Sequence, residues 1–224
     1  MSRLILFDVN ETLLDLRGLN PQFERIFGDA AVMGQWFGQV LRSSMVATIT
    51  ETYHDFGVIA GDALQMLALR HQIDLSTEDR SAILQGMRTL PPHPEVPESL
   101  ARLKAAGLRL ATLTNSPPHV QQEQLTNAGL LGYFEQNLSV DSTRRFKPAR
   151  EVYQHAAASL GLALSDIRMV AAHDWDIAGA MRAGCAGAFI ARPGMVLSPL
   201  QEPPDIIGPD LSAVADQILA KELS

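Results

Sequence analysis

Four groups of polar residues each follow a short apolar run or begin a helical pattern, where reactive side chains are often placed. They are residues 8–12, 114–115, 147 and 173–176. Together they offer carboxylates, hydroxyls, an amide, an ammonium and an imidazole, the groups used in nucleophilic and acid–base catalysis. Asp8 is the most informative, because it directly follows four apolar residues. A charge at that position indicates either a functional carboxylate or the N-cap of the next segment.

The elements that must position these groups are predicted from runs of apolar residues. Continuous apolar character at 4–7, 108–113, 167–172 and 187–191 predicts strands buried on both faces, as in a parallel sheet. Helical patterns alternate with them, beginning at Pro97, at Ser116-Pro117-Pro118 and at Pro148, with Ser116 as an expected N-cap. The chain is therefore predicted to be an α/β protein with an open, doubly wound parallel sheet. Ligands bind beyond the carboxyl ends of such strands, where all four polar groups are expected.

Residues 15–93 show helical stripes and no strand-like run, for example Trp36, Phe37 and Val40. The prolines around His93 mark the return to the alternating pattern. We therefore predict a helical cap at 15–93, inserted after the first strand of a core formed by 1–14 and 94–224. The tail is predicted to form a short edge strand near 206–208 and a closing helix.

Composition and charge exclude several classes of function. The chain has 224 residues, 46% of them apolar, and a net charge of −7. This charge argues against general binding of nucleic acid or of anionic membrane surfaces, since both need clustered cations. No apolar run approaches the length of a membrane span, and the lone Cys185 fits a structural role in a reducing compartment. We expect a cytoplasmic location.

The four groups, taken together and in order, resemble the motifs of the haloacid dehalogenase superfamily. Its first motif, Asp-x-x-x-Thr-Leu, is matched by residues 8–13, and its second by Thr114. Its lysine, often followed by proline, is matched by Lys147-Pro148, and its acidic cluster by His173-Asp174-Trp175-Asp176. A helical insertion after the first motif is also similar to the family's cap, so the resemblance covers essentially the whole chain.

Departures from the phosphatases of this superfamily narrow the expected chemistry. Those enzymes usually carry an aspartate two residues after the nucleophile as a general acid, and here that position is Asn10. Their magnesium ligand four residues before the last aspartate is replaced by Ala172, whose methyl group cannot bind a hard cation. Hydrolysis of an alkyl halide needs neither the magnesium ion nor the general acid, because the attacked carbon is not anionic and halide leaves without a proton. We expect no metal and no other cofactor.

The chain resembles in particular the type II 2-haloacid dehalogenases. Tyr153 stands six residues after Lys147, Asn115 follows Thr114 with a proline three residues on, and Trp175 precedes Asp176. This resemblance implies hydrolysis of small anionic 2-haloacids to 2-hydroxy acids through an ester on Asp8.

The resemblance also implies a role for each matched residue. Asp8 would be the nucleophile, Lys147 would keep it ionised, and Thr12 and Tyr153 would hold that pair by hydrogen bonds. The substrate carboxylate would bind Thr114 and main-chain N–H groups around Val9, Asn10 and Asn115, and Asn115 would also face the halide. Asp176 would position or activate water, with His173 as a candidate partner.

Several alternatives stay open from the sequence. The family's halide-binding arginine after the cap tryptophan is missing, so Arg42 either replaces it or is a surface residue. His173 is either a donor or base in the site or a structural histidine. A magnesium-dependent phosphatase with Asp174 as a ligand, and a non-catalytic binding protein, are the competing functions. The apolar cap helices and the resemblance together predict a homodimer. Halogen, chain length and stereochemical preference are not determined.

Overall fold

The protein is described by a computed structural model covering residues 3–223. Its centre is a six-stranded, wholly parallel sheet in the order β3-β2-β1-β4-β5-β6. The strands are β1 (Leu4–Phe7), β2 (Leu110–Thr114), β3 (Gln136–Ser139), β4 (Ile167–Ala171), β5 (Ala186–Ile190) and β6 (Ile207–Gly208). All residues of β1, β2 and β4 are buried, which explains their continuous apolar character. The predicted α/β fold class is confirmed.

The strand order places a topological switch point at β1. The chain runs from β1 outward to β2 and β3, then returns to place β4 on the other side of β1. Phe7 pairs with Thr112 on one side and with Val170 on the other. The loops that follow β1 and β4 therefore diverge in opposite directions and leave a crevice, which is where open α/β sheets bind ligands.

Five helices accompany the sheet. They are α5 (Val96–Ala105), α6 (Pro118–Asn127), α7 (Arg150–Leu160), α8 (Asp174–Ala183) and α9 (Leu211–Glu222). Helix α5 packs against α9, α7 packs against α8, and α8 also contacts β4 and β5. Only two residues separate the end of β4 from the start of α8, so the first turn of α8 lies at the switch point.

Four further helices separate β1 from α5. They are α1 (Asn20–Phe27), α2 (Val32–Ile49), α3 (Phe56–His71) and α4 (Thr77–Gly86). Helices α2 and α3 pack most closely, and the Trp36 indole donates to the Ala60 carbonyl oxygen at 3.0 Å. The stretches of chain that enter and leave this helical segment lie side by side. Leu14 and Pro92 form an antiparallel β-bridge there, and the His93 N–H donates to Leu13 O at 2.9 Å. The division into a 15–93 domain and a core domain stays a prediction.

Some local expectations were wrong. Strand β3 was not predicted, because its sequence is polar. It lies at the edge of the sheet, where few of its side chains need to be buried. Ser116 was predicted as an N-cap, but α6 begins at Pro118 with Pro117 at the cap and no side-chain cap hydrogen bond. Helix α7 begins at Arg150, two residues later than predicted. The short β6 and the closing α9 are present as predicted.

Candidate active site

The nucleophile candidate Asp8 lies in the first turn after β1. Its N–H donates to Val170 O at 3.0 Å, which continues the pairing with β4. Thr12 Oγ1 donates to Asp8 Oδ2 at 2.6 Å and accepts the Ala172 N–H at 3.0 Å. This threonine therefore links the loop after β1 to the end of β4 and orients the carboxylate between them. The predicted contact between Thr12 and Asp8 is present.

Lys147 stands between two carboxylates. Its Nζ lies 2.7 Å from Asp8 Oδ1 and 2.6 Å from Asp176 Oδ2, and it donates to Leu113 O at 3.0 Å. The side chains of Lys147 and Asp176 are fully buried, and that of Asp8 is 6% exposed. The three donor positions of the ammonium are therefore all used, and the site contains one fixed cation shared by two acids.

The loop that carries Lys147 is held from both sides. The Lys147 N–H donates to Asn115 Oδ1 at 3.1 Å, which ties the loop to the end of β2. The Phe146 N–H donates to Thr48 Oγ1 of α2 at 2.9 Å, and Arg145 pairs with Glu51 at 2.9 Å. The peptide bond before Pro148 is cis. The ammonium is thus positioned jointly by the sheet and by the helical segment.

The surroundings shift the pKa values of these three charged groups in different ways. Burial raises the pKa of Asp8, but Lys147 and His173 outweigh it and hold that pKa well below its usual range. Burial lowers the pKa of Lys147, but the carboxylates of Asp176 and Asp8 raise it overall. The pKa of Asp176 is raised, by burial and by the charge of Asp8, against the effect of Lys147. Asp8 is therefore the carboxylate that the site keeps ionised.

Tyr153 differs from its predicted place. Its hydroxyl donates to Asp176 Oδ1 at 2.7 Å and lies 3.2 Å from Asp176 O, rather than bonding to Asp8 or Lys147. The reason is geometric: Tyr153 is in the first turn of α7, which packs against α8, the helix that carries Asp176. Each carboxylate oxygen of Asp176 consequently accepts a hydrogen bond from a buried side chain.

His173 joins Asp8 to an acid that was not among the predicted site residues. Its Nδ1 lies 3.3 Å from Asp8 Oδ2 and its Nε2 lies 2.8 Å from Glu11 Oε2. Burial lowers the pKa of His173, but the hydrogen bonds to Asp8 and Glu11 raise it to about 10. The ring is therefore an imidazolium at neutral pH in this arrangement, with both N–H groups donated.

Glu11 reaches His173 because its backbone adopts a left-handed conformation, with φ of 62°. Such a conformation is uncommon for a residue other than glycine and occurs often at functional sites. No spacing rule in the sequence identifies Glu11, because the acidic residue and the histidine are 162 positions apart. An unusual backbone angle cannot be read from residue types alone.

The residues predicted to bind the substrate carboxylate form a buried polar group beside this cluster. Asn10 Nδ2 donates to Ser116 Oγ at 3.3 Å, and Gln124 Nε2 donates to Asn10 Oδ1 at 3.0 Å. Thr114 Oγ1 accepts the Ser116 N–H at 3.2 Å. The predicted Val9, Asn10, Thr114 and Asn115 all follow β1 or end β2, so the fold brings them together.

Two other candidates lie outside this cluster. Arg42 of α2 donates to Gln39 Oε1, in a 510 Å³ cavity that Asp62 and Val46 also line. Arg42 is exposed, and within residues 3–223 its side chain bonds to Gln39 rather than to Asp8, which favours the surface alternative. Cys185 is buried, and burial raises the pKa of its thiol to about 12, so the thiol stays protonated and unreactive.

The described residues offer neither a metal-binding cluster nor a membrane-spanning helix. Within residues 3–223, no three His, Cys, Asp or Glu side chains are grouped so that they could hold a metal ion. Across the same residues, every helix is too short or too polar to cross a bilayer.

Comparison with known proteins agrees with this geometry. The family described as haloacid dehalogenase-like hydrolase matches residues 2–184. The chain belongs to this family. An (S)-2-haloacid dehalogenase of Pseudomonas sp. (strain YL) is 31% identical over 95% of this chain and 92% of its own length. The haloacetate dehalogenase H-2 of Moraxella sp. (strain B) is 27% identical over 96% of each chain.

A solved structure of the family has the same architecture. The L-2-haloacid dehalogenase of Xanthobacter autotrophicus superposes with a TM-score of 0.92 at 25% identity, over 99% of this chain and all of that one. The resemblance that the four sequence motifs predicted is therefore confirmed, and the protein is a hydrolase of this family.

Proposed function

We propose that the protein is a hydrolytic dehalogenase that converts short 2-haloalkanoic acids to 2-hydroxy acids through an ester on Asp8. The observation that carries this proposal is the buried carboxylate of Asp8, held by the Lys147 ammonium at 2.7 Å. The names of the relatives support the substrate class, since they are dehalogenases of haloacids or haloacetate.

In the first step, one oxygen of Asp8 attacks C2 of the substrate from the side opposite the halogen. An oxygen–carbon bond forms, the carbon–halogen bond breaks, and its electron pair leaves with the halide. The lowered pKa of Asp8 keeps the nucleophile ionised, and partial desolvation of a buried carboxylate makes it more reactive. The leaving halide needs no proton.

The substrate carboxylate is proposed to bind beside Asn10 and Thr114, as predicted from the sequence. Both side chains are buried, within hydrogen-bonding distance of Ser116. Main-chain N–H groups around Val9, Asn10 and Asn115 would complete the site, and Asn115 would face the halide. Fixing the carboxylate sets the orientation of C2 relative to Asp8, on which an in-line displacement depends.

In the second step, water attacks Cγ of the Asp8 ester and releases the 2-hydroxy acid. The sequence predicted Asp176 as the residue that positions or activates this water. The hydrogen bonds from Lys147 and Tyr153 to its two oxygens favour a positioning role, in which Asp176 keeps the ammonium directed at Asp8. The cytoplasmic location and the homodimer also stay predictions.

The deciding experiment measures halide release and follows the oxygen of the product. We expect the purified protein to release halide from one enantiomer of 2-chloropropionate or from haloacetates, with a rate unchanged by EDTA. A single turnover in ¹⁸O water should place label in the peptide that contains Asp8.

Two controls make the result decisive. Asp8→Asn should keep its circular dichroism spectrum and lose halide release. No halide from fluoro, chloro or bromo acids, or EDTA-sensitive hydrolysis of p-nitrophenyl phosphate in its place, would refute the proposal and favour the phosphatase alternative.

A further inference from the structure

The site contains a hydrogen-bonded row of three residues, of which the displacement step uses only Asp8. It runs from Asp8 Oδ2 through the His173 ring, by contacts of 3.3 and 2.8 Å, to Glu11 Oε2. The ring is 6% exposed and stacks on Trp175 with centroids 4.8 Å apart, while Phe37 of α2 lies 6.4 Å away. The ring therefore has one fixed orientation, with Nδ1 directed at the nucleophile.

The second half of the proposed reaction needs a base beside the Asp8 ester, and the contacts of the neighbouring groups favour this histidine over Asp176. Both oxygens of Asp176 accept hydrogen bonds, from Lys147 at 2.6 Å and from Tyr153 at 2.7 Å. The Lys147 ammonium has no acceptor lone pair. Of the titratable groups described in contact with Asp8, only the imidazole can become a proton acceptor once Asp8 is esterified, because the Asp8 charge that favours its protonated form is then lost.

We infer that His173 is the general base for cleavage of the Asp8 ester, acting through Nδ1, and that Glu11 is the positioning residue that holds its Nε2–H. This inference rests on the proposed function. It extends that proposal by naming the group that activates water and by adding Glu11 to the site.

The proton balance of the cycle follows from the charges. When Asp8 is alkylated, its negative charge disappears and the His173 imidazolium loses the partner on its Nδ1 side. The ring then releases its Nδ1 proton to solvent, so one proton and one halide ion leave during the first half of the cycle. Glu11 keeps the remaining proton on Nε2, as the acidic member of a catalytic triad does.

In the second half, water oxygen forms a bond to Cγ of Asp8 while Nδ1 accepts one water proton. The bond from Cγ to the substrate oxygen then breaks, and the 2-hydroxy acid leaves with the second water proton. The regenerated Asp8 carboxylate again faces an imidazolium, which is the resting arrangement. The sum is one haloacid and one water converted to one hydroxy acid, one halide and one proton.

The charged groups around the ring determine its protonation. Asp8 at the end of β1 and Glu11 in the following loop contact its two nitrogens. Lys147 opposes them, because it pairs with Asp8 and its Nζ lies 6.0 Å from the centroid of the neighbouring Trp175 ring. Phe37, on the side of α2, is uncharged. Loss of the Asp8 charge therefore shifts the balance toward neutral imidazole.

The first test measures the ester directly. His173→Asn is mixed with excess 2-chloropropionate, or with whichever haloacid the unchanged protein accepts, and intact protein mass is recorded. We expect one halide per site, nearly complete conversion to the ester, and ester hydrolysis slowed by about 10²–10⁴-fold. His155→Asn is the matched control, because His155 lies in α7 and its ring is hydrogen-bonded to Ser159 of the same helix.

The second test uses Glu11→Gln, whose amide oxygen still accepts the Nε2–H but carries no charge. In the unchanged protein, the fraction of enzyme present as ester should rise as pH falls, because a protonated ring cannot accept the water proton. In Glu11→Gln this rise should occur at lower pH, since removing the negative charge lowers the pKa of the ring. A purely structural role for Glu11 would not move the pH dependence.

The outcomes separate this inference from the function on which it rests. Halide turnover by His173→Asn without ester accumulation, or an ester fraction independent of pH in the unchanged protein, overturns the role of His173 and leaves the dehalogenase proposal intact. If the unchanged protein releases no halide from any haloacid, both proposals fail.

Discussion

At the residue scale, the central feature is one ammonium shared by two buried carboxylates. A buried ion pair contributes little net stability over a well-packed apolar group, but removing one partner leaves an uncompensated charge. Lys147 has two such partners, so its loss affects both Asp8 and Asp176. The reactivity of Asp8 and the stability of the fold therefore depend on the same side chain.

Replacing Lys147 with methionine tests this dependence. We expect Lys147→Met to lower the free energy of unfolding by about 3–5 kcal/mol and to abolish turnover, because Asp176 would be buried without a cation and Asp8 would keep only His173. Urea denaturation measures the first effect and halide release the second. Lys104→Met is the matched control, since the Lys104 ammonium is exposed and donates to the Gly132 carbonyl oxygen. Equal stability of the two variants would contradict the prediction.

The raised pKa of His173 predicts how the free energy of unfolding depends on pH. Its pKa is raised from 6.5 to about 10 in the folded protein. A raised pKa contributes stability that is fully present below the unfolded value and is lost as pH rises through the folded value. The free energy of unfolding should therefore fall between pH 6.5 and 10, and His173→Asn should remove much of that slope. Denaturation series at several pH values measure it; an unchanged slope in the variant would be contrary to expectation.

At the element scale, α8 approaches the Lys147 loop so closely that it requires a glycine. A Cβ built at Gly179 would lie 2.5 Å from Pro148 Cβ and 2.8 Å from the Tyr153 hydroxyl oxygen. The same tyrosine holds Asp176. The distance between α8 and the loop therefore affects the positions of both Asp176 and Lys147.

Two glycine substitutions test this close approach. In an exposed helix interior, alanine is more favourable than glycine by about 1 kcal/mol. Gly38→Ala in α2 should show that gain, because no atom lies within 4 Å of the added Cβ. Gly179→Ala should instead lower both thermal stability and turnover, because Tyr153 and Pro148 must move. A stabilised Gly179→Ala with full activity would show that the packing at this point is not required.

The elements also show what the sequence could predict. Strands β1, β2, β4 and β5 were predicted because full burial leaves long apolar runs, whereas the polar edge strand β3 left none. Asp8, Thr12 and Lys147 were predicted to meet because motif order and strand ends place them at one edge. The bond from Tyr153 to Asp176 and the contact of Glu11 with His173 depend on helix packing and on one backbone angle, and neither can be read from residue spacing.

At the scale of the whole molecule, apolar side chains remain exposed on the helical segment. Val46 and Ile49 of α2 and Val58 of α3 are 51%, 80% and 51% exposed, and Val46 and Val58 line the same cavity. Exposed apolar area of this kind often marks a contact between protein chains. The homodimer predicted from the sequence would cover these side chains.

Introducing one charge on the exposed apolar side of α2 tests the predicted dimer. We expect sedimentation velocity to show a dimer for the unchanged protein and a monomer for Ile49→Asp, because a carboxylate cannot be buried unpaired in an apolar contact. Leu200→Asp is the control, since Leu200 is 92% exposed in the loop between β5 and β6. A monomeric unchanged protein would contradict the prediction.

The hydrogen bond from Phe146 to Thr48 couples α2 to the loop that holds Lys147. Asp8 is only 4% exposed, so we expect the proposed haloacid to enter by a movement of the surrounding elements. Any movement of α2 away from the sheet would pull on the loop that directs the Lys147 ammonium at Asp8. The carboxylate would then regain its full pairing with this cation only after α2 has returned over the bound molecule.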